Sequence, residues 1–290
     1  MNFGVLTLAT QNDYLKAIGL SLSLRVSNPD IPTAVAFSGK IRDKLEPYFD
    51  HVIEQDASWV GFAQKVNLDK YSPFELTIFF DSDILVFREL WPFLETWGGY
   101  PYAVCGLYQT SGFSDFGLDR KAMLQRLNKD RFVVIDGAGH GLFRKPDCFE
   151  VFEKAREITL NFQEYVGNIR YADEDVIAIV MTAMDIPPVP YGDFFSRYLS
   201  AVPGTLDMDA RIGRCKFIAA DTGKLCEPCM MHFASNEAPI AYTMQLIKLF
   251  NHFGVPTDGL FRLGVEDFYD RHIKLPLHIQ KSKFKGLFSK

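Results

Sequence analysis

The sequence predicts an α/β fold built around a mostly parallel sheet. Short apolar runs rich in β-forming residues alternate with segments of helical periodicity through the first half of the chain. No internal repeat and no linker rich in Gly, Ser or Pro divides the 290 residues. Such alternation is typical of βαβ units, and the 48% hydrophobic and 14% aromatic content supplies a large core.

Each predicted element follows from a local pattern. The first helix should begin near Asn12 or Asp13, either of which can cap it, and end at Asn28-Pro29, where proline stops it. Pro187 to Pro190 and Gly192 predict an irregular crossing. The predicted strands are Phe3–Ala9, Thr33–Phe37, Leu76–Phe80 and Ala103–Leu107. The later predicted helices are Val60–Leu68, Leu90–Thr96, Cys148–Leu160, Asp173–Met184 and Ile240–Phe253.

Charge and composition argue against nucleic-acid-binding, membrane-spanning and disulfide-rich proteins. The net charge of -5 and the pI near 5.7 give no basic surface for nucleic acid. No run reaches the roughly 20 apolar residues that span a bilayer, and no basic region precedes the first apolar stretch. The five cysteines are an odd number in a chain too large to need disulfides. We therefore expect a cytoplasmic protein with no nucleic-acid partner.

The end of the chain differs from the rest. We predict one domain over residues 1–255 and a tail over residues 256–290. From Arg271 onward, basic and apolar residues alternate in an amphipathic segment that fits an anionic membrane surface. Pro276 interrupts any long helix there, so a solvated terminus is the alternative. The basic residues of the segment are Arg271, Lys274, Lys281, Lys283, Lys285 and Lys290.

The most informative motif is Asp81-Ser82-Asp83, which follows the apolar run Leu76–Phe80. If the chain stays extended, residues two apart point to the same side, so both carboxylates converge. The carboxyl ends of strands in α/β sheets are where ligands bind, and paired carboxylates suit Mn²⁺ or Mg²⁺. Aspartates that merely end a strand are the alternative, but Ile84–Phe87 resumes the apolar run at once.

Around this motif the chain resembles glycosyltransferase family 8, retaining enzymes of the GT-A fold that use nucleotide-sugar donors. The resemblance rests on Lys65, Tyr71, the segment Phe79 to Val86, and Glu89-Leu90. It extends over roughly residues 3 to 240 in the family's order, with only the central motif closely matched. It implies a GT-A sheet flanked by helices and metal-dependent sugar transfer.

The resemblance also implies roles for individual residues. Asp81, Asp83 and His232 would hold the metal, Mn²⁺ or Mg²⁺, because Met231-His232-Phe233 resembles the family's His-Phe. The implied donor-binding residues are Thr7, Ala9, Thr10, Lys65, Ser82, Gly137, Ala138 and Gly139.

Two acidic residues depart from the family pattern at the predicted sugar pocket. Asp136, before Gly137, stands where the family usually has Asn. Glu174, within Asp173–Asp175, stands where the family has Gln facing the reacting sugar. We expect Glu174 and Asp136 near that sugar. A glycine turn and an acidic helix N-terminus are the structural alternatives.

A phosphate-binding lysine is missing. After its His-Phe the family has Gly and then Lys-Pro-Trp, where this chain reads Ser235 and Ala238-Pro239-Ile240. Lys65, Arg144 or a residue of the tail is the expected substitute.

His232 has a competing interpretation. Cys226 and Cys229 precede it at equal spacing, with Cys215 upstream, so structural zinc is an alternative to ordinary buried thiols.

The predicted reaction is metal-dependent transfer, with retention, from a nucleotide sugar, a UDP-sugar, to a hydroxyl of a saccharide, lipid-linked or protein acceptor. A haloacid-dehalogenase-like phosphatase also has Asp-x-Asp after an apolar strand. In those phosphatases the motif lies near the start of the chain, whereas here it begins at Asp81. A non-catalytic nucleotide-sugar-binding protein is the third possibility. The loops Gln109 to Arg120 and Tyr191 to Arg211 are candidates for acceptor recognition. The sequence does not define the sugar or the oligomeric state.

Overall fold

The structure is a computed structural model that describes residues 2–136, 139–190, 194–197, 201–233, 239–269 and 272–273. The chain forms two compact units. The first unit comprises Met1–Tyr14, Asp30–Asp81 and Leu90–Gly192, and the second comprises Leu15–Pro29, Ser82–Glu89 and Asp193–Lys290. The expected boundary near residue 255 stays a prediction.

The described strands and helices have the following bounds. The strands are β1 (Phe3–Ala9), β2 (Thr33–Phe37), β3 (His51–Glu54), β4 (Leu76–Phe80), β5 (Ile84–Val86), β6 (Tyr102–Ala103), β7 (Gly106–Gln109), β8 (Phe132–Ile135), β9 (His140–Arg144), β10 (Phe195–Arg197), β11 (Asp207–Asp209), β12 (Arg214–Ile218), β13 (Leu225–Cys226) and β14 (Met230–His232). The helices are α1 (Tyr14–Ser27), α2 (Arg42–Leu45), α3 (Leu68–Tyr71), α4 (Trp91–Trp97), α5 (Arg120–Leu127), α6 (Phe149–Leu160), α7 (Phe162–Val166), α8 (Asp173–Ala183), α9 (Pro239–His252) and α10 (Leu260–Tyr269), with 3₁₀ turns at Gly61–Asn67 and Ala210–Ile212.

The first unit contains a six-stranded sheet in the order β3-β2-β1-β4-β9-β6. Strands β1 to β4 pair in parallel, whereas β9 pairs antiparallel with both β4 and β6. Every residue of β2 and β4 is buried, as expected for central strands covered on both faces. The prediction of an α/β fold with a mostly parallel sheet is confirmed.

Helices α6 and α8 pack in the core of the first unit. Their buried apolar residues belong to one cluster with residues of the sheet, including Phe79 and Phe143. The rings of Phe143 and Phe152 meet edge to face, 5.0 Å apart. Helix α8 is buried along Val176–Thr182, which fixes its first turn, Asp173–Asp175, relative to β4.

The second unit contains two small sheets, β10-β14-β5 and β11-β12-β13, together with α1, α9 and α10. Helix α1 is joined to α10 by a buried ion pair, with Nζ of Lys16 2.9 Å from Oδ2 of Asp267. No helix among the described residues is long and apolar enough to cross a bilayer.

Two predicted elements were wrong in detail. The predicted strand Ala103–Leu107 is two strands, because Tyr102–Ala103 pairs with β9 whereas Gly106–Gln109 pairs with β8. A Cβ at Gly106 would lie 2.4 Å from the carbonyl oxygen of Val134, so only glycine allows this close approach. The predicted helix Val60–Leu68 is a 3₁₀ helix over Gly61–Asn67.

Candidate active site

Asp81 and Asp83 lie where the chain leaves the large sheet. Asp81 directly follows β4, and its backbone N–H donates to the carbonyl of Gly139, 2.7 Å away. The chain passes from the first unit to the second between Asp81 and Ser82, and β5 begins directly after Asp83. Because every residue of β4 and β5 is buried, the two aspartates lie between two buried strands.

His232 is held beside Asp83 by the register of two strands. In the antiparallel pair of β14 and β5, His232 lies opposite Ile84, and the N–H of Phe233 donates to the carbonyl of Asp83 at 3.0 Å. Nε2 of His232 lies 3.0 Å from Oδ1 of Asp83. Strand pairing therefore sets the contact between two residues distant in sequence.

The three predicted metal ligands come together. Asp81, Asp83 and His232 each offer one ligand atom, and these atoms lie within 4.8 Å of one another. In octahedral coordination with bonds of about 2.1 Å, neighbouring ligand atoms are about 3 Å apart, which is the separation of the His232 and Asp83 atoms. Two carboxylates and one imidazole suit Mn²⁺. The residues therefore fit a divalent metal ion.

Lys65 joins Asp81 to the start of α8. Its Nζ lies 2.9 Å from Oδ1 of Asp81 and 2.9 Å from Oδ2 of Asp173. Burial alone would lower the pKa of Lys65, but the carboxylates of Asp173 and Asp81 together outweigh burial and raise it. A cation held in this way neutralises part of the charge of both carboxylates.

The cysteines do not gather around His232. Sγ of Cys229 donates to the carbonyls of Arg88 and Glu89, 3.5 Å from each, and burial raises the pKa of Cys229 to about 12. Within the described part of the chain, the only group of at least three His, Cys, Asp or Glu residues close enough to hold a metal is Asp81, Asp83 and His232. The zinc alternative therefore has no ligand cluster among the residues that the structure describes.

Three solved structures that resemble this chain are glycosyltransferases. The chain is 14% identical to the galactosyltransferase LgtC in complex with donor and acceptor sugar analogs, with a TM-score of 0.57 over 88% of this chain and 98% of that one. For the bifunctional glycosyltransferase WbbM the identity is 13% and the TM-score 0.56, over 90% and 51%. For GlyE of Streptococcus pneumoniae they are 14% and 0.53, over 89% and 63%.

The chain has a GT-A glycosyltransferase fold. It spans nearly the whole length of LgtC but only about half of WbbM and less than two thirds of GlyE. No protein-family model and no curated protein matches the sequence. The likeness therefore shows the fold alone.

On this GT-A fold, the predicted donor-binding residues of β1 differ in exposure. Thr7 and Ala9 are buried within the strand, at 1% and 0% exposure, whereas Thr10 follows the strand and is half-buried. The hydroxyl of Thr10 donates to Oδ1 of Asp13 at 2.9 Å, which fixes the turn before α1. The carbonyl of Ser82 accepts from the hydroxyl of Tyr242 at 3.4 Å.

The predicted sugar-pocket residues lie at two places in the first unit. Asp136 follows β8, and its N–H donates to the carbonyl of Cys105 at 3.0 Å. The carbonyl of Gly139 accepts a hydrogen bond from the N–H of Asp81. Gly137 and Ala138 lie outside the described residues. Glu174 is in the first turn of α8, half-buried, and next to the Asp173 that binds Lys65.

Arg144 is not placed to replace the missing phosphate-binding lysine. It pairs with Leu76 at the amino end of β4, whereas Asp81 follows the opposite end. Leu76 and Phe80 are four residue steps apart along the strand, which is about 13 Å. The arginine backbone therefore lies at the wrong end of the strand.

Sequence reasoning missed Asp173, Ser114 and Tyr242 as partners of the site residues. Asp173 lies in the quoted acidic triplet, but nothing local predicts that it binds Lys65. Ser114 binds Asp175 at 3.0 Å and is an ordinary loop serine in the sequence. Only the packing of α8 in the first unit brings Asp173 to Lys65 and Asp175 to Ser114, whereas Tyr242 reaches Ser82 from α9.

Proposed function

We propose that this protein is a metal-dependent glycosyltransferase. It transfers a sugar from a nucleotide-sugar donor, a UDP-sugar, to a hydroxyl of a saccharide, lipid-linked or protein acceptor. The observation that carries the proposal is the group Asp81, Asp83 and His232, whose ligand atoms lie within 4.8 Å of one another in a chain of this fold. That group lies at the carboxyl end of β4, where α/β sheets bind ligands.

Asp81, Asp83 and His232 would hold Mn²⁺ or Mg²⁺. A bound divalent cation supplies electrostatic stabilisation of the charge that develops on the leaving diphosphate. The strand register holds His232 against Asp83 in advance, so little reorganisation is needed to bind the ion.

Lys65 acts as the counter-ion of Asp81 in this proposal. Its buried ammonium contacts both Asp81, which is half-buried, and Asp173, which is buried, so both carboxylates are paired. Lys65 thereby orients Asp81 as a metal ligand and fixes the first turn of α8. Contact between Lys65 and a donor phosphate remains compatible with this role.

Glu174 and Asp136 are the residues proposed to lie near the reacting sugar. An anionic side chain there stabilises the positive charge of an oxocarbenium-like sugar during same-face substitution, which gives retention. Helix α8 is rigidly packed, and its Asp173 is tied through Lys65 to Asp81. That connection supports placing Glu174 close to the metal motif.

The arrangement of the strands argues against a phosphatase of the haloacid-dehalogenase type. The paired aspartates follow β4 rather than the first strand, and Asp83 contacts a histidine. We therefore favour glycosyl transfer.

Peripheral contact with a membrane from the cytoplasmic side is the remaining part of the proposal. Helix α10 leaves Phe261 80% exposed and Val265 51% exposed on its outer face, just before the basic segment. An apolar face combined with basic residues fits an anionic lipid surface. The basic residues from Lys274 onward lie outside the described residues.

A panel of nucleotide sugars tests the proposed function. Thermal denaturation with each donor, with and without Mn²⁺, should show a higher Tm only for the accepted donor with metal, because ligand binding stabilises the folded state. Slow release of UDP from that donor should follow. Binding without hydrolysis or transfer would identify a non-catalytic nucleotide-sugar-binding protein. If no donor changes the Tm, both the glycosyltransferase and the binding-protein hypotheses are contradicted.

A further inference from the structure

A hydrogen bond ties a surface loop to the first turn of α8. The loop comprises residues 110–119, between β7 and α5, and is called the 110–119 loop below. Oγ of Ser114 donates to Oδ2 of Asp175, 3.0 Å away. Asp175 is only 2% exposed, so the anchoring carboxylate belongs to the interior of the first unit.

Ser114 also organises the 110–119 loop itself. Its hydroxyl oxygen accepts from the N–H of Phe116 at 3.3 Å and from the N–H of Leu118 at 3.0 Å. Its own N–H donates to the carbonyl of Leu118 at 3.0 Å. The Ser114 side chain therefore both stabilises the shape of the loop and attaches it to the helix.

Burying the carboxyl group of Asp175 costs free energy that burying an apolar side chain would not. Burial disfavours the charged form and raises its pKa to about 6, although the hydroxyl of Ser114 and the charge of Arg120 oppose that change. The neighbouring residues Val176 and Ile177 fill the core at no such cost. An acid at this position is explained by the loop that it holds.

The same helical turn connects to the metal motif. Asp173 binds Lys65, which binds Asp81, and Asp175 binds Ser114. Glu174 lies between these two anchors in the sequence. The 110–119 loop is therefore fixed to the helical turn that carries the residue proposed to face the donor sugar.

We propose that Asp175 is a positioning residue that holds the 110–119 loop beside Glu174, and that the loop binds the sugar ring of a saccharide acceptor. This inference rests on the proposed function. The ring of Phe113 is 66% exposed on a loop whose backbone is fixed by a bridge from Phe113 to Asp119. A rigidly presented aromatic ring offers a flat apolar surface to the apolar face of a sugar.

The test separates acceptor recognition from donor chemistry. Wild type and the variants Ser114→Ala, Ser114→Thr and Phe113→Ala are assayed with the accepted donor, for hydrolysis without acceptor and for transfer to a panel of p-nitrophenyl glycosides. Ser114→Ala and Phe113→Ala should raise the acceptor KM about 10-fold to 100-fold and leave donor hydrolysis within about 2-fold. Ser114→Thr, which keeps the hydroxyl, should restore transfer.

Ser58→Ala is the matched control, since it removes an exposed serine-to-aspartate hydrogen bond of 2.7 Å to Asp56.

Equal loss of hydrolysis and transfer in Ser114→Ala, or no loss of transfer in either Ser114→Ala or Phe113→Ala, overturns this inference but not the proposed function. Hydrolysis by wild type with no glycoside accepted also overturns the saccharide assignment. A wild type that processes no donor defeats the proposed function itself. Phe113→Ala changes only an exposed side chain, so the test holds even if Ser114→Ala does not fold.

Discussion

Nε2 of His232 lies 3.0 Å from Oδ1 of Asp83, although 149 positions separate the two residues in the chain. The register of β14 against β5 holds them together, so the contact belongs to the fold. This pair is the part of the proposed metal site that the sequence alone places least securely.

Removing the charge of Lys65 should destabilise the protein. In Lys65→Met the carboxylates of Asp81 and Asp173 lose their shared cation, and breaking a buried ion pair typically costs about 3 kcal/mol. Urea denaturation at pH 7 measures the change in the free energy of unfolding. The control Lys154→Met removes a more exposed pair with Glu157 and should cost less than about 1 kcal/mol. Equal stability of Lys65→Met and wild type would contradict the account.

Asp175 should make stability depend on pH. Burial raises its pKa from 3.8 to about 6, with Asp173 and Asp115 adding to the rise and Ser114 and Arg120 opposing it. The folded state therefore holds this proton more tightly than the unfolded state, so stability falls as pH rises from about 4 to about 6.

The variant Asp175→Asn should remove that fall, which amounts to at most about 3 kcal/mol across the window. Urea denaturation at several pH values compares the variant with wild type. Asp258→Asn changes an exposed carboxyl and serves as the control. A variant with the same pH profile as wild type would refute the prediction.

Cys226 should be the thiol that reacts first. It is half-buried, whereas Cys105, Cys148, Cys215 and Cys229 are buried. With Ellman's reagent at pH 8 we expect one faster thiol, absent in Cys226→Ser, because thiol reactivity requires exposure and the thiolate. Release of zinc during the modification, or a fast phase that survives in Cys226→Ser, would argue for the metal alternative.

The basic tail should bind anionic vesicles. Replacing Lys281, Lys283 and Lys285 with serine should weaken co-sedimentation with phosphatidylserine vesicles about 100-fold at low salt, at about 1 kcal/mol for each lysine. Binding to phosphatidylcholine vesicles should be weak for both proteins. A control that replaces the exposed Lys40, Lys121 and Lys224 has the same net charge, and equal loss in that control would exclude a specific role for the tail.

The sequence predicted those parts of the fold that have a local signal. Strands β1, β2 and β4 were predicted with their observed bounds, since unbroken apolar runs mark buried parallel strands. The predicted strand Ala103–Leu107 was wrong because the chain changes partner strands within it. Partner exchange depends on packing around Gly106 and leaves no periodic signal.

The candidate site also has a part that the sequence predicts and a part that depends on the fold. Asp81 and Asp83 were identifiable from carboxylates that interrupt an apolar run. The attachment of Ser114 to Asp175 and of Lys65 to Asp173 depends on where α8 packs, so no local pattern predicts it. Charged side chains buried beside one another become informative only when the fold is known.

Calorimetric titration of UDP into the protein tests the metal site most directly. With Mn²⁺ we predict binding that EDTA abolishes and that Asp83→Ala and His232→Ala each weaken at least about 10-fold, the usual lower range for loss of a metal-site residue. The control His252→Ala, at an exposed position of α9, should bind like wild type. Metal-independent UDP binding of unchanged affinity in Asp83→Ala and His232→Ala would contradict the account.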